Sequence, residues 1–213
     1  MIRAYNAKEW EVRAILDGRK SCIRIAVKYK YSNTEMKIKS DKRGSRLIEI
    51  QKDVEGETYG KNPDGSTWHR LLPYIEIIPL YKKGDILYVR ETWSEWTDGY
   101  VYKAWNSPFA QAGESAVMKW NPSIHMPIEA ARIWLEVTDV RVERLQDITP
   151  EQICREGVEV EYPHVLNGEE KRYAFSALWN STINKSDLDC CGWDANPYVF
   201  VIEFKRCERP EGV

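Results

Sequence analysis

At 213 residues the chain suits one domain of generous size, or a compact core carrying long insertions. Its 43% hydrophobic and 12% aromatic content excludes a disordered chain. The net charge of −2 conceals an asymmetry: Arg19 to Arg46 carries ten Lys or Arg against Glu35 and Asp41, so this stretch is +8 and the remainder −10. Such a stretch reads either as a solvated loop or as the footprint of a polyanionic partner, because neutralising phosphates releases counterions. No run approaches the roughly 18 apolar residues of a membrane span, and the N-terminus lacks a signal-like apolar core, so no membrane partner is expected.

The five cysteines (Cys22, Cys154, Cys190, Cys191, Cys207) are odd in number and include no Cys-x-x-Cys pair. That disfavours a disulfide framework or zinc knuckle and points to a reducing, cytoplasmic setting. His69, His125 and His164 are scattered without ligand spacing, so neither a metal nor a cofactor is expected. Nine Trp and twelve Tyr against four Phe favour amphipathic rings that pack in a core or stack on a flat ligand at the rim of a cleft.

The first predicted element is a helix, capped by Asn6 with Glu9 three residues on, presenting Val12, Ile15 and Leu16 and ending at Gly18. Arg19 and Lys20 follow at its C-terminus, where the helix dipole favours cations. A strand comes next, with Ile23, Ile25 and Val27 alternating against Arg24, Ala26 and Lys28. Residues 31–79 read as a loop-rich insertion with short strand-like runs such as Arg46 to Gln51. The turn Lys83-Gly84-Asp85 launches a strand from Ile86 to Trp93, whose alternation puts Leu87, Val89, Glu91 and Trp93 on one face. A carboxylate in that register either caps a barrel end or points into a pocket.

Asp98-Gly99 suggests a hairpin leading into Tyr100–Tyr102, and residues 107–130 read as a second insertion. A long strand from Ile133 to Val142 slips phase near Thr138-Asp139, which predicts a bulge. Thr149-Pro150-Glu151-Gln152 starts a short helix that ends at Gly157. A further helix covers Glu170 to Asn180, with Phe175, Leu178 and Trp179 on its apolar face. Asp187–Cys191 reads as a solvent loop, and Tyr198–Phe204 as a closing strand. Many short strands with two or three helices predict an α+β fold: a single domain over 1–213, built as a mostly antiparallel pseudobarrel flanked by helices.

Four landmarks carry a resemblance. Ile15-Leu16-Asp17-Gly18-Arg19-Lys20-Ser21 closes the first helix, and Lys83-Gly84-Asp85-Ile86-Leu87-Tyr88-Val89 opens a central strand. Leu145-Gln146-Asp147-Ile148-Thr149 leads into the short helix, and Tyr198 to Lys205 forms the last strand. In this order they resemble the ASCH family, a branch of the PUA-like β-barrels. Val89-Arg90-Glu91-Thr92-Trp93, Pro122-Ser123-Ile124-His125-Met126-Pro127 and Gly192-Trp193-Asp194-Ala195-Asn196-Pro197 are similar to phage-encoded ASCH-like proteins.

The resemblance implies a PUA-like pseudobarrel with a cleft between the first helix, the strand after it and the short helix, where such domains bind RNA or modified bases. One ASCH branch hydrolyses acetylcytidine nucleosides with a lysine, a threonine and a glutamate. By this resemblance Lys20 matches the lysine and Glu156 the glutamate, while Ile23 stands at the threonine position. A lysine beside a carboxylate in a desolvated cleft favours its charged form, and the glutamate could shuttle a proton or activate a water.

Lys20 and Glu156 are therefore the candidate catalytic residues, and Arg19, Ser21, Arg24, Glu91, Trp93 and Trp193 the candidate ligand contacts. Arg24 would reach a phosphate, and Trp93 or Trp193 would stack a base. Three readings stand side by side. One is binding of RNA, single-stranded nucleic acid or a modified nucleoside. Another is hydrolysis of an acylated nucleoside or nuclease action, and the third a phage accessory protein that binds a host protein. The oligomeric state has no signature in the sequence.

Overall fold

The computed structural model describes residues 1–30, 34–42, 44–51, 60–61, 63–64, 67–68, 74–97, 99–104, 119–159 and 169–213. The chain opens with a strand rather than a helix: β1 (Ile2–Asn6) precedes α1 (Glu9–Leu16). Asn6, expected to cap the helix, is the last residue of β1 and lies opposite Arg90. Lys8 takes the cap position, and the Glu11 carboxylate accepts its backbone N–H at 2.9 Å. Glu11 thus satisfies one of the orphan donors of the first turn.

The central sheet contains β1, β2 (Cys22–Ala26), β8 (Ile86–Arg90), β11 (Trp134–Arg144) and β12 (Tyr198–Cys207), in the order β1-β8-β11-β12-β2. Only the β1–β8 pairing is parallel; the other three are antiparallel. The register of β11 against β12 slips between Val137 and Asp139, which is the bulge expected from the phase change. The sheet does not close on itself, so the α+β architecture is an open pseudobarrel.

A second sheet, β3 (Thr34–Asp41), β4 (Gly44–Gln51) and β7 (Tyr74–Ile77), is antiparallel throughout. The stretch read as a loop-rich insertion therefore holds a regular sheet. Met36 and Leu47 belong to the same buried cluster as Leu87, Leu135 and Ile202. β5 (Gly60–Lys61) and β6 (Thr67–Trp68) make a short ladder between β4 and β7 in sequence.

The strand expected over Ile86–Trp93 breaks at Glu91. β9 (Trp93–Trp96) is a separate strand that forms a hairpin with β10 (Gly99–Tyr102); the expected turn residue Asp98 lies outside the described residues. Glu91 is 1% exposed, and Arg132 holds both its oxygens at 2.8 Å. A buried carboxylate must be paired, and this pairing uses the position at which the ladder ends.

Among the described residues four α-helices flank the sheets: α1, α2 (Pro150–Arg155), α3 (Glu169–Thr182) and the single turn α4 (Leu188–Cys191). Thr149 caps α2, accepting from Gln152 N–H at 3.3 Å while the Gln152 side chain accepts from Thr149 N–H at 3.0 Å. The segment read as a solvent loop, Asp187–Cys191, is helical and buries Cys191. Among the described residues no helix is long and apolar enough to cross a membrane.

Candidate functional site

Two helix C-termini meet to form the site. Helix α1 ends in a left-handed glycine, Gly18 with φ 74°, and Arg19 N–H returns to Ala14 O at 2.8 Å while Gly18 N–H reaches Ile15 O at 3.1 Å. That reciprocal pair of bonds satisfies carbonyls the helix would leave orphaned. Helix α2 ends the same way: Glu156 is its cap, and Gly157 follows with φ 81°. The two ends pair through a bridge between Lys20 and Glu156 and a bond from Ser21 N–H to Arg155 O at 2.8 Å.

Backbone geometry therefore brings Lys20 and Glu156 together before their side chains touch. Lys20 Nζ donates to Glu156 Oε2 at 2.8 Å and to the Glu156 carbonyl at 3.1 Å, and lies 3.4 Å from Glu11 Oε1. Arg24 adds a bond to the other Glu156 oxygen at 2.7 Å and reaches Gln152 Oε1 at 3.1 Å. Tyr5 Oη donates to Glu11 Oε1 at 2.6 Å. The Lys20 and Arg24 side chains are only 2% and 1% exposed.

Two hydrogen bonds to Glu156 and one ion-pair contact with Glu11 surround the ammonium. Two cations face two carboxylates, Glu156 and Glu11, with Glu143 3.5 Å from Arg24 Nη2 on its far side. Burial opposes the charge of Lys20, but Glu156 and then Glu11 outweigh it, so its pKa is raised. Burial, reinforced by Glu11, likewise raises Tyr5 and keeps its hydroxyl protonated.

This network floors a cavity of about 170 Å³. Trp10, Ile23, Ile25, Phe175, Leu178 and Trp179 supply its apolar walls. The volume is below the few hundred Å³ of drug-sized ligand sites and suits one small ring system. Trp10 and Leu178 also line a wider groove of about 700 Å³ outside the cavity, together with Arg13, Arg19 and Glu159. Lys20 Nζ lies 5.2 Å from the Trp10 ring centroid, within cation–π range.

Of the residues singled out from the sequence, Lys20, Glu156 and Arg24 converge here. Arg24 does so as a buried partner of Glu156, not as a hand held out to phosphate. Ser21 lies on the outer side, its Oγ accepting from Arg155 Nε at 3.3 Å. Arg19 sits in the wider groove, paired with Asp17 at 2.9 Å and Glu159 at 3.1 Å.

Glu91 and Trp93 do not line the cavity. Glu91 is held by Arg132, and Trp93 packs with Met126, Ala130, Ala131 and Trp134, edge-on to Tyr100 at 5.5 Å. Trp193 stands behind the wall, edge-on to Phe175 at 5.9 Å and beneath Arg172. Its half-buried ring packs against that wall. Ile23 is 4% exposed, opposite Ile202 in the sheet, and brings no hydroxyl to the floor.

Sequence reasoning missed Tyr5, Glu11, Trp10 and Thr182. Glu11 carried a usable signal, since it lies one turn before Ile15 on the recognised apolar face of α1. The basic stretch also changes meaning. Lys20 and Arg24 are interior, Lys28 pairs with Asp187 at 2.6 Å, Lys37 pairs with Glu35, and Arg46 pairs with Glu76 at 2.8 Å. These partners are part of the fold's own charge balance. Among the described residues no group of three or more His, Cys, Asp or Glu could hold a metal ion.

Beside the floor, burial and then Glu156 push the Cys22 thiol up to about 12 from an ordinary 9.0. A raised folded-state pKa gives stability that is complete below the unfolded value and lost as pH rises through the folded one. The thermal midpoint should therefore fall between pH 9 and 12, and Cys22→Ala should flatten that fall. Thermal unfolding followed by circular dichroism across this range checks it; an unchanged slope in the variant would contradict it.

Compared with models of known protein families, with curated proteins and with solved structures, the chain matches none.

Proposed function

We propose that the chain binds RNA, single-stranded nucleic acid or a modified nucleoside, seating one base in the cavity, as an ASCH-type, PUA-like domain. The observation that carries this reading is the pairing of a charged, hydrogen-bonded floor with aromatic walls around a space of single-ring size. Base–aromatic stacking and a few placed polar groups are the usual means of holding an unpaired base. Because Glu156 and Glu11 balance Lys20 and Arg24, the cavity itself favours a neutral heterocycle over a phosphate. Sugar and phosphate would then lie along the wider groove beside Arg19.

Titration of a nucleoside panel, including N4-acetylcytidine, and of labelled single-stranded RNA tests this. Trp10→Ala should weaken nucleoside binding roughly 5- to 150-fold, the equivalent of about 1–3 kcal/mol of stacking. Nucleosides should bind with little salt dependence and oligonucleotides with a steeper one. Absence of binding by every member at low salt, or affinity indifferent to Trp10→Ala, would sink the reading.

A second reading has one observation in its favour. The 2.8 Å contact of Lys20 with Glu156 is a fit arrangement for activating water against an acyl amide. Ile23 weighs against it, since the hydroxyl nucleophile of the family it resembles is missing. The same titrations, followed for acetate release from N4-acetylcytidine, should show binding without turnover. Release that disappears in Glu156→Gln would instead promote the hydrolase.

A further inference from the structure

Away from the cleft floor, two nucleophilic side chains touch. Cys190 Sγ and Cys191 Sγ are 3.4 Å apart on the last turn of α4. Cys190 is exposed and Cys191 fully buried behind it. The Cys190 thiol lies 3.3 Å from Asp187 O, and Lys28, which holds the Asp187 carboxylate, places a positive charge beside both sulfurs.

The pair is wired to the cleft. The Cys191 carbonyl accepts the Trp179 indole N–H at 2.8 Å, and the Trp179 ring is one wall of the cavity. Two residues on, Trp193 N–H donates to Asn180 Oδ1 at 2.8 Å, fastening the same segment to α3. There is little slack between them: a Cβ on Gly192 would meet Leu188 O at 2.5 Å.

We propose that Cys190–Cys191 is a thiol–disulfide exchange site for low-molecular-weight disulfides, and that closing it turns the Cys191 carbonyl away from Trp179 and shifts that wall of the cleft. The Cys190 thiolate attacks one sulfur of R–S–S–R, expelling R–S⁻. The Cys191 thiolate then attacks Cys190 Sγ, breaks the mixed disulfide and expels the second R–S⁻. The two thiol protons end on two R–SH, the cysteine pair loses two electrons, and the small disulfide gains them.

Burial, then the adjacent Cys190, pushes Cys191 up to about 11, so ring closure accelerates with pH. Consecutive Cα atoms stand about 3.8 Å apart, nearer than the roughly 4.4–6.8 Å of ordinary disulfides. The ring is therefore strained and easily reopened, as a reversible device requires.

The closure does not depend on what the cleft binds; only its effect on binding rests on the reading above. The full chain is incubated with glutathione disulfide and followed by intact mass, peptide mapping and the Trp179 indole N–H resonance. The expected product has lost two hydrogen atoms, retains no glutathione, and keeps three of its five free thiols. The peptide spanning both cysteines carries the bond internally, the indole resonance shifts and loses protection, and dithiothreitol reverses both. Cys190→Ser should abolish the internal bond and the shift. A stable glutathione adduct, a bond mapped to Cys154, or closure that leaves the indole resonance in place would each overturn the proposal.

Discussion

Glu156→Ala is expected to cost about 3–5 kcal/mol of folding free energy, the loss typical of a buried ion pair deprived of one partner. The reason is local: one carboxylate satisfies two cations whose side chains are 2% and 1% exposed. Removing it leaves Lys20 with Glu11 at 3.4 Å and the residue-156 carbonyl at 3.1 Å, and Arg24 with Gln152 Oε1 at 3.1 Å and Glu143 at 3.5 Å. Urea unfolding of the ligand-free protein checks this, and a loss under 1 kcal/mol would mean that water reaches the floor.

Replacing the whole triad with apolar residues, as Lys20→Met, Arg24→Met and Glu156→Leu together, should be close to neutral in stability or up to about 4 kcal/mol favourable. It should nevertheless abolish nucleoside binding. Such a split between stability and binding would identify the triad as a recognition device rather than a fold requirement. A triple variant as unstable as Glu156→Ala would reverse that conclusion.

Local grammar made one half of the site legible. Gly18 had to be left-handed to end α1, and Thr149-Pro150-Gln152 had to start α2, so the two helix ends could be placed from sequence alone. The burial of Lys20 could not, because a cation after a helix reads as solvated until another chain segment covers it. Arg24 shows the same limit. Period-2 alternation put it on the polar face of β2, but α2 and α3 cover that face, and polarity there means pairing rather than exposure.

Glu91 misled for the opposite reason. Its register with Leu87 and Val89 correctly marked it as buried, yet burial says nothing about which cation will meet it, and Arg132 lies 41 residues away. β1 was missed because Ile2–Asn6 has no strong alternation; its strand state comes from parallel pairing with β8. Pairing of that kind is a property of the assembled sheet and leaves little trace in five residues.

Gly157→Ala is expected to cost about 2–5 kcal/mol, from about 1–2 kcal/mol for a left-handed alanine and about 1–3 kcal/mol for overpacking. A Cβ at Gly157 would lie 2.7 Å from Ala14 Cβ and 3.1 Å from Lys20 Cβ. It would wedge apart the two helix ends whose contact sets the Lys20–Glu156 distance, so binding should fall with stability. Gly18 separates the two causes. Its φ of 74° is as unfavourable to alanine, but nothing lies within 4 Å of a Cβ there, so Gly18→Ala should cost only the backbone part and spare the cleft. Ala14→Gly combined with Gly157→Ala should recover the overpacking part, because it removes the nearer methyl while leaving the strained φ. Urea unfolding of the double-mutant cycle gives the coupling directly. Strict additivity would show that the close approach of α1 to Gly157 does not hold the cleft together.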